Sequence, residues 1–488
     1  MALLILTAGS GCSPSPEPIT PKPIDTSLPS KWQINDVRYS PEVTVPERDL
    51  SGKDFYWQAV DFQKDGEEKI QFERKEGKPS FGIKPVAPKI QMVGTLEDMA
   101  AVREMSRHLV SAYRRENLPV AQFGFGPFGV SNDLYFGHTF WDMDVWMLPT
   151  LLFIDPPSVK SIAKYRLDRV AQAIKNYGAT YPGPDEKTGM KFPWESSVSG
   201  KEVCLAKTRF QEHISGDVVW GMTQAEAMGL VPSGVVSQVG RGVDIYYRDR
   251  SFITSRGREI KDVTSPNEKF TGDNDLYTNL LAEWIHNDRQ WKGTPTYYLP
   301  KDDKSFLNYD NDPLRDYQQV AGLLSIYPLQ YPEAEKQALT MLKRFEPGLS
   351  KNGPAMGHSI IATIYARLGQ PRKAYKAWKE SWAPYLTGPN RLFSERNKVS
   401  KTYFYTGAAG ALNTVIYGFG GFRLDRSPLK DAKWTKKLKS GWWLSCKPSV
   451  PGEIGKIIFN GIQIDDQKYD FEMSSTGGFS AKISTLKG

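Results

Sequence analysis

A chain of 488 residues, 40% hydrophobic and 24% charged, is too long for one small domain and has the composition of a folded globular protein. Its net charge of +8 is small for this length, and the basic residues are scattered except around Lys433, Lys436, Lys437 and Lys439, which excludes a nucleic-acid-binding stripe. Three cysteines exclude a disulfide framework, and five histidines with no H-E-x-x-H pair argue against a metal enzyme. No Walker lysine follows the glycines Gly124, Gly126 and Gly129, so that stretch is a turn-rich loop and not a phosphate cradle.

Residues Met1 to Cys12 are apolar and then small up to the cysteine, which looks like the tail of a bacterial lipoprotein signal with lipid on the Cys12 sulfur. The run is too short to span a bilayer as a helix. From Ser13 to Pro23 a Pro-rich stretch predicts an extended tether, so residues 1–25 are expected to anchor the protein in the periplasm or at the outer membrane or cell surface. A lipid on Cys12 is then the only expected membrane contact.

Residues 26–94 show short bursts of alternation, as in Phe55 to Phe62 and Lys69 to Arg74, and predict a few strands with irregular wrapping. At Thr95 the character changes. Thr95 is a candidate N-cap with Asp98 at the third helical position, and Met99, Val102, Met105 and Leu109 recur at helical spacing toward Arg115. Helical patterns then follow over 144–154, 157–177, 217–228, 236–247, 273–286, 314–326, 332–345, 356–369, 371–383 and 403–417. Several are apolar around much of their circumference, and long polar loops carrying Trp and carboxylates join them, which suggests a closed helical toroid over 95–425. Past Asp425, alternation around Trp442, Ile457 and Tyr469 with intervening Asn-Gly and Gly turns predicts a small β-rich piece over 426–488.

The most informative stretch is Phe140-Trp141-Asp142-Met143-Asp144-Val145-Trp146, led in by Gly137-His138-Thr139. Carboxylates accept from sugar hydroxyls and indole faces cover the apolar C–H face of the ring. A helix start with core tryptophans and N-terminal acids has the same appearance, and this run alone leaves both open. Three further loops share the vocabulary. One is Phe192-Pro193-Trp194-Glu195 with Gln211-Glu212-His213 and Asp217. The next is Val263-Thr264-Ser265-Pro266-Asn267-Glu268 followed by Asn274 and Asn279, and the last runs from Gly388 through Glu395 to Asn397.

These four loops, in this order, resemble glycoside hydrolase family 65, the inverting α-glucoside hydrolases and phosphorylases. The family's F-W-D-T-E-x-W-M-L-P is similar to Phe140 through Pro149, and its F-P-W-E-S and Q-E-H-I-x-G-D are matched by Phe192–Ser196 and Gln211–Asp217. Its V-T-G-P-D-E-Y with N-x-x-Y-T-N resembles Val263–Lys269 and Asn274–Asn279, and the hydrolases' G-P-F-x-x-W-x-E-N loosely resembles Gly388–Asn397. The resemblance runs from about Gln122 to Arg423. It implies a mainly α protein, an (α/α)6 barrel, with Glu268 as general acid and Glu395 as general base. Inversion requires the two carboxyls to stand roughly 6.5–9.5 Å apart with water between them. The resemblance also implies that Asp142, Trp194 and Glu195 hold the glucosyl unit, that Trp141 and His138 line or support it, and that Gln318 and Gln319 occupy the family's K-Q-A-D contact. The expected partner is an α-glucoside of kojibiose, nigerose or trehalose type, and no cofactor is expected. Asp144 and Asp217 serve equally well as helix N-terminal acids, and Glu212 and His213 as a buried supporting network.

Three departures from the pattern bear on activity. Asn267 and Lys269 replace the acid loop's Asp and Tyr, and an ammonium beside Glu268 would disfavour its protonated form. The K-Q-A-D lysine is lost at Gln318, and the family's N-terminal β-sandwich has little room ahead of Thr95. Two alternatives therefore stand beside the hydrolase. One is a disaccharide phosphorylase of the family, which the carboxylate of Glu395 opposes because it repels phosphate; the other is a non-catalytic glycan-binding lipoprotein.

Overall fold

The computed structural model describes residues 89–110, 124–129, 135, 137–181, 188–196, 198–319, 321–387, 392–398 and 403–484, with the backbone alone of 42–48, 54–62, 70–76 and 111–112. Cys12 and the Pro-rich tether lie outside these residues. The chain opens with an antiparallel sheet of β1 (Glu42–Arg48), β2 (Asp54–Phe62) and β3 (Ile70–Glu76), followed by β4 (Ile90–Val93). The helical part starts at α1 (Leu96–Ala112), where Thr95 Oγ1 accepts from the Asp98 amide at 3.1 Å, the cap read from the sequence. A π-helical turn, Asp142–Met147, feeds α2 (Leu148–Ile154), α3 (Pro156–Leu167) and α4 (Val170–Thr180). Then come α5 (His213–Ala227), α6 (Ser233–Arg250), the hairpin β5 (Phe252–Thr254) and β6 (Gly257–Glu259), and the short pair β7 (Val263–Thr264) and β8 (Thr271–Gly272).

The second half of the helical part runs through α7 (Leu276–His286), α8 (Ala321–Leu324), α9 (Pro332–Lys336), α10 (Ala338–Phe345), α11 (Gly357–Arg367) and α12 (Pro371–Trp382). After β9 (Leu386–Thr387) and β10 (Leu392–Phe393), α13 (Tyr405–Asn413) continues into a second π-helical turn, Thr414–Phe419. The chain ends in β11 (Phe422–Asp425), β12 (Trp434–Lys437), β13 (Trp443–Cys446), β14 (Lys456–Ile464), β15 (Gln467–Ser474) and β16 (Phe479–Ile483). The molecule is thus rich in helix with several small sheets. Among the described residues no helix is long and apolar enough to cross a membrane.

Where apolar residues surround a helix the helix is buried. Every residue of α13 is buried, as are Leu276–Ile285 of α7 and all of α5 except Gln224. The segments expected over 157–177 and 332–345 are each broken in two, and Arg169 Nη1 donates to the Tyr165 carbonyl at 2.9 Å at the first break. The helix expected over 314–326 shrinks to α8. Leu314 and Asp316 have left-handed φ values of 56° and 64°, and Asp312 draws the loop into a knot by accepting from Leu314 N at 2.9 Å, Asn308 Nδ2 at 2.6 Å and the Tyr317 hydroxyl at 3.0 Å.

Strand β4 does not pair with the N-terminal sheet. It lies antiparallel to β14, Val93 opposite Lys456 and Ile90 opposite Phe459, in the order β16-β15-β14-β4. Phe153 of α2 packs on Phe422 and Phe459, with ring centres 4.8 and 6.5 Å away, so the helical part and the C-terminal strands share one apolar contact. The functional consequence is at the other end of the buried helices. The entrances to the first π turn, α5, α7 and α13 meet: the Trp141 ring lies 4.9 Å from His213 and 6.1 Å from Tyr277, and Thr406 donates to Asp142 Oδ1 at 2.6 Å.

Candidate active site

The meeting of helix entrances brings together loops far apart in sequence. Thr139 and Ser196 form a two-bond antiparallel bridge, Thr139 N to Ser196 O at 2.7 Å and Ser196 N to Thr139 O at 3.1 Å. The bridge sets His138 beside Glu195, with Nδ1 2.7 Å from Oε1. Trp194, half-buried, stands edge-on to Phe140 with ring centres 4.8 Å apart. Trp141 is buried against Trp146, His213 and Tyr277, so it supports the site from below.

Glu202, which sequence reasoning missed, holds this loop in shape. Its Oε2 accepts from the Trp194 amide at 2.7 Å, and its Oε1 accepts from the amides of Glu195 at 3.2 Å and Cys204 at 3.1 Å. Burial pushes the Glu202 carboxyl up to about 7, against the pull of those three N–H groups and of Lys191.

Glu268 projects from the turn between β7 and β8. It is open to solvent and at the same time ringed by protein, as a side chain in a cleft is, and this crowding raises its carboxyl above the usual range. Gln211 Nε2 donates to Glu268 Oε1 at 3.4 Å and pulls the other way, Glu395 pushes the carboxyl up again, and Arg396 and His213 pull it down. Glu395, following β10, is partly exposed and held through its carbonyl, which accepts from Ala355 N at 2.8 Å. Burial raises it too, but its neighbours are cations, Arg396 with Nε 3.9 Å from Oε1 and Lys398, and both favour its ionised form.

Asp142 is buried and is pushed up to about 7, chiefly by burial, with Thr406 opposing and the charges of Glu268 and Glu395 adding. Tyr135, a second residue that no motif marked, feels Glu395, Glu268, Asp142 and Glu195 together, which with its burial raises its hydroxyl above the ordinary tyrosine range. Carboxyls from four separate loops thus act on one phenol. Its ring is braced by Phe128 at 5.7 Å and Phe140 at 5.2 Å.

The other residues read from the sequence take supporting places. Asp144 forms a buried ion pair with Arg166, whose Nη2 also donates to Phe140 O at 3.1 Å. Asp217 accepts from Tyr277 and faces His213. Glu212 takes the Tyr246 hydroxyl and Arg250 Nε. Gln318 joins through its backbone, its amide donating to Asn267 Oδ1 at 2.8 Å, so Asn267 ties the acid loop to the 312–319 knot. Gln319 donates to Met356 Sδ at 3.4 Å and lines a small cavity with Trp146 and Ile360, apart from the carboxyls. The expectation that Lys269 presses on Glu268 is corrected, because its Nζ pairs with Asp316 at 3.0 Å. Among the described residues no group of three or more His, Cys, Asp or Glu is arranged to hold a metal ion.

A crowded acid and a second carboxylate among cations, with Trp194 and Tyr135 on neighbouring loops, suit the cleavage of a glycosidic bond. Residues 107–290 match the description "Glycosyl hydrolase family 65 central catalytic domain". The kojibiose hydrolase of Flavobacterium johnsoniae is 30% identical over 409 residues, 78% of this chain and 56% of that protein. The protein-glucosylgalactosylhydroxylysine glucosidase of Gallus gallus is 26% identical over 424 residues, 79% of this chain and 56% of its own. The chain therefore spans a little over half the length of these relatives. A solved structure from the human microbiome, named for kojibiose phosphorylase, shares the fold with a TM-score of 0.62 at 15% identity, covering 81% of this chain and 60% of that one. On the matched domain and these relatives, the chain belongs to glycoside hydrolase family 65.

Proposed function

We propose that the protein is an inverting α-glucosidase acting on a disaccharide or glucosyl cap of kojibiose, nigerose or trehalose type. The helices of 95–425 form an (α/α)6 barrel in this reading, and the site lies at the mouth where the helix entrances meet. Glu268 delivers its proton to the glycosidic oxygen while Glu395 takes a proton from water on the opposite face of the ring. Asp142 and Glu195 accept from the glucosyl hydroxyls, and Trp194 and Tyr135 provide apolar walls. In the same reading residues 1–25 tether the protein to the cell envelope through lipid on Cys12.

The observation that carries the proposal is the unlike setting of the two acids. Glu268 has Glu395 as a negative neighbour that opposes the pull of Arg396 and His213 on it, whereas the charged groups acting on Glu395, Arg396 and Lys398, both favour its ionised form. The same two cations favour a second reading, a phosphorylase in which they receive inorganic phosphate in place of water. A panel of α-linked glucobioses and trehalose, assayed with and without phosphate, separates the readings. Glucose release without phosphate supports the hydrolase, phosphate-dependent release of glucose 1-phosphate replaces it with the phosphorylase, and no turnover in either condition leaves a glycan-binding protein.

A further inference from the structure

Behind Glu268 a file of hydrogen bonds runs into the core. The Tyr277 hydroxyl donates to Asp217 Oδ1 at 2.7 Å, Asp217 Oδ2 faces His213 Nδ1 at 2.5 Å, His213 Nε2 faces Gln211 Oε1 at 2.9 Å, and Gln211 Nε2 reaches Glu268 Oε1 at 3.4 Å. His213 and Asp217 are wholly buried and Gln211 nearly so, whereas Glu268 at the far end is open to solvent. No solvent molecule therefore intervenes until the last residue.

Donor and acceptor counting gives this file two self-consistent arrangements in which Asp217 is ionised. With the Gln211 oxygen toward the ring, His213 donates from both nitrogens and is an imidazolium, and the amide N–H points at an ionised Glu268. With the amide turned over, its N–H donates to the free nitrogen of a neutral ring, and its oxygen faces Glu268, which it can accept from only if the carboxyl holds a proton. Both arrangements contain the same number of protons and nearly the same heavy-atom positions. They differ in whether the ring or the carboxyl holds one proton.

We propose that His213, acting through Gln211, is a positioning residue that aims the Glu268 carboxyl and governs whether it holds its proton. The two arrangements interconvert through solvent and not along the file: the ring gives its proton to water only on a local opening that exposes it, an N–H bond breaking as a hydronium ion forms, and the carboxyl takes one from hydronium at its open end, while the amide rotates and carries none. After Glu268 has given its proton to the leaving group the pair is one proton short, and a proton regained from solvent restores one of the two arrangements; in the first of them the imidazolium and the outward-turned amide N–H stabilise the carboxylate. The charged and titratable groups facing the two ends are Glu395, Arg396, Asp142 and Tyr135 around Glu268, and Asp217, Asp275 and Tyr277 around His213. The direction of the effect follows, because both the Gln211 amide and the His213 charge pull Glu268 down.

This inference rests on the reading of Glu268 as the acid, and its test separates the two. The Glu268 carboxyl is titrated directly by carbon-13 NMR, with its signal assigned by its loss in Glu268→Gln, in the full chain and in Gln211→Leu, His213→Gln and the double variant. In parallel the pH dependence of kcat on kojibiose is measured. The expected result is an upward move of the Glu268 titration in each single variant, with no further move in the double variant. The alkaline limb of kcat moves with it, and kcat at its optimum falls about tenfold through lost aim. Titrations that stay in place, or single-variant moves that simply add, overturn the proposal. If kojibiose is not turned over, the hydrolase reading fails for that substrate while the NMR titration still decides the coupling. Thermal melts report whether His213→Gln folds, and Gln211→Leu, at the solvent end of the file, carries the test if it does not.

Discussion

The two catalytic candidates are seated in opposite ways. Glu268 is backed by side chains, a file from Gln211 through His213 to Asp217 that ends on the buried wall of α7. Glu395 is fixed by its backbone, with its carbonyl on Ala355 N and its carboxyl left among Arg396 and Lys398. The difference fits the two tasks. An acid must keep one direction toward the oxygen it protonates, which a directional network supplies. A base must stay ionised and accept from a mobile water, which nearby cations favour without tying up its oxygens.

The largest expected effect tests this division. Replacing Glu268 or Glu395 by Gln lowers kcat on kojibiose about 10²–10⁴-fold. On α-glucosyl fluoride, whose leaving group needs little protonation, Glu268→Gln recovers most of its rate and Glu395→Gln does not. Equal losses for both variants on both substrates would erase the distinction between the seats.

Asp142 offers a test through stability. Its carboxyl is raised to about 7 in the folded protein, so between the unfolded value near 4 and that point the folded state binds the extra proton, and stability falls as pH rises. Asp142→Asn removes the burden. The variant is expected to be more stable than wild type above pH 7, by at most about 4 kcal/mol, with the advantage gone below pH 4, as read by thermal melts across pH. It loses substrate affinity at the same time. An unchanged difference across that range would place the Asp142 charge elsewhere.

Glu202 sharpens the comparison on the glycone side. Glu202→Gln keeps one acceptor oxygen and loses about one or two of the three amide bonds, worth roughly 1–2 kcal/mol or 5–30-fold, expected in KM with kcat little changed. A fall in kcat alone would move Glu202 from positioning to chemistry. The smallest effect is on charge. Lys398→Ala removes a cation that lowers Glu395 and shifts the acid limb of the rate profile to higher pH, whereas Lys269→Ala, whose ammonium pairs with Asp316, leaves both limbs in place.

What could be read from the sequence was what repeats or recurs as a motif. The buried helices announced themselves by apolar residues all around, and the Thr95 cap by its spacing from Asp98. Four loops of carboxylates and tryptophans marked where helix entrances meet. The 312–319 knot was hidden because Leu314 and Tyr317 have helical spacing while Asp312 bonds to both and Leu314 and Asp316 turn left-handed, a tertiary decision that periodicity does not encode. Glu202 lies between two motifs and acts on amides, so nothing in its neighbours sets it apart from a surface acid. Tyr135 had one faint signal, an aromatic three residues before His138, but its importance comes from charges contributed by residues as distant as Glu395. β4 likewise reads as part of the N-terminal stretch and is claimed by β14, more than 350 residues later.

The account depends on water arriving from the face of the sugar opposite Glu268, activated by Glu395. Proton NMR of the first glucose released from kojibiose, recorded in phosphate-free buffer before mutarotation, tests this most directly. The β-anomer is the predicted first product; α-glucose at the earliest time points would contradict the arrangement of the two carboxyls proposed for this site.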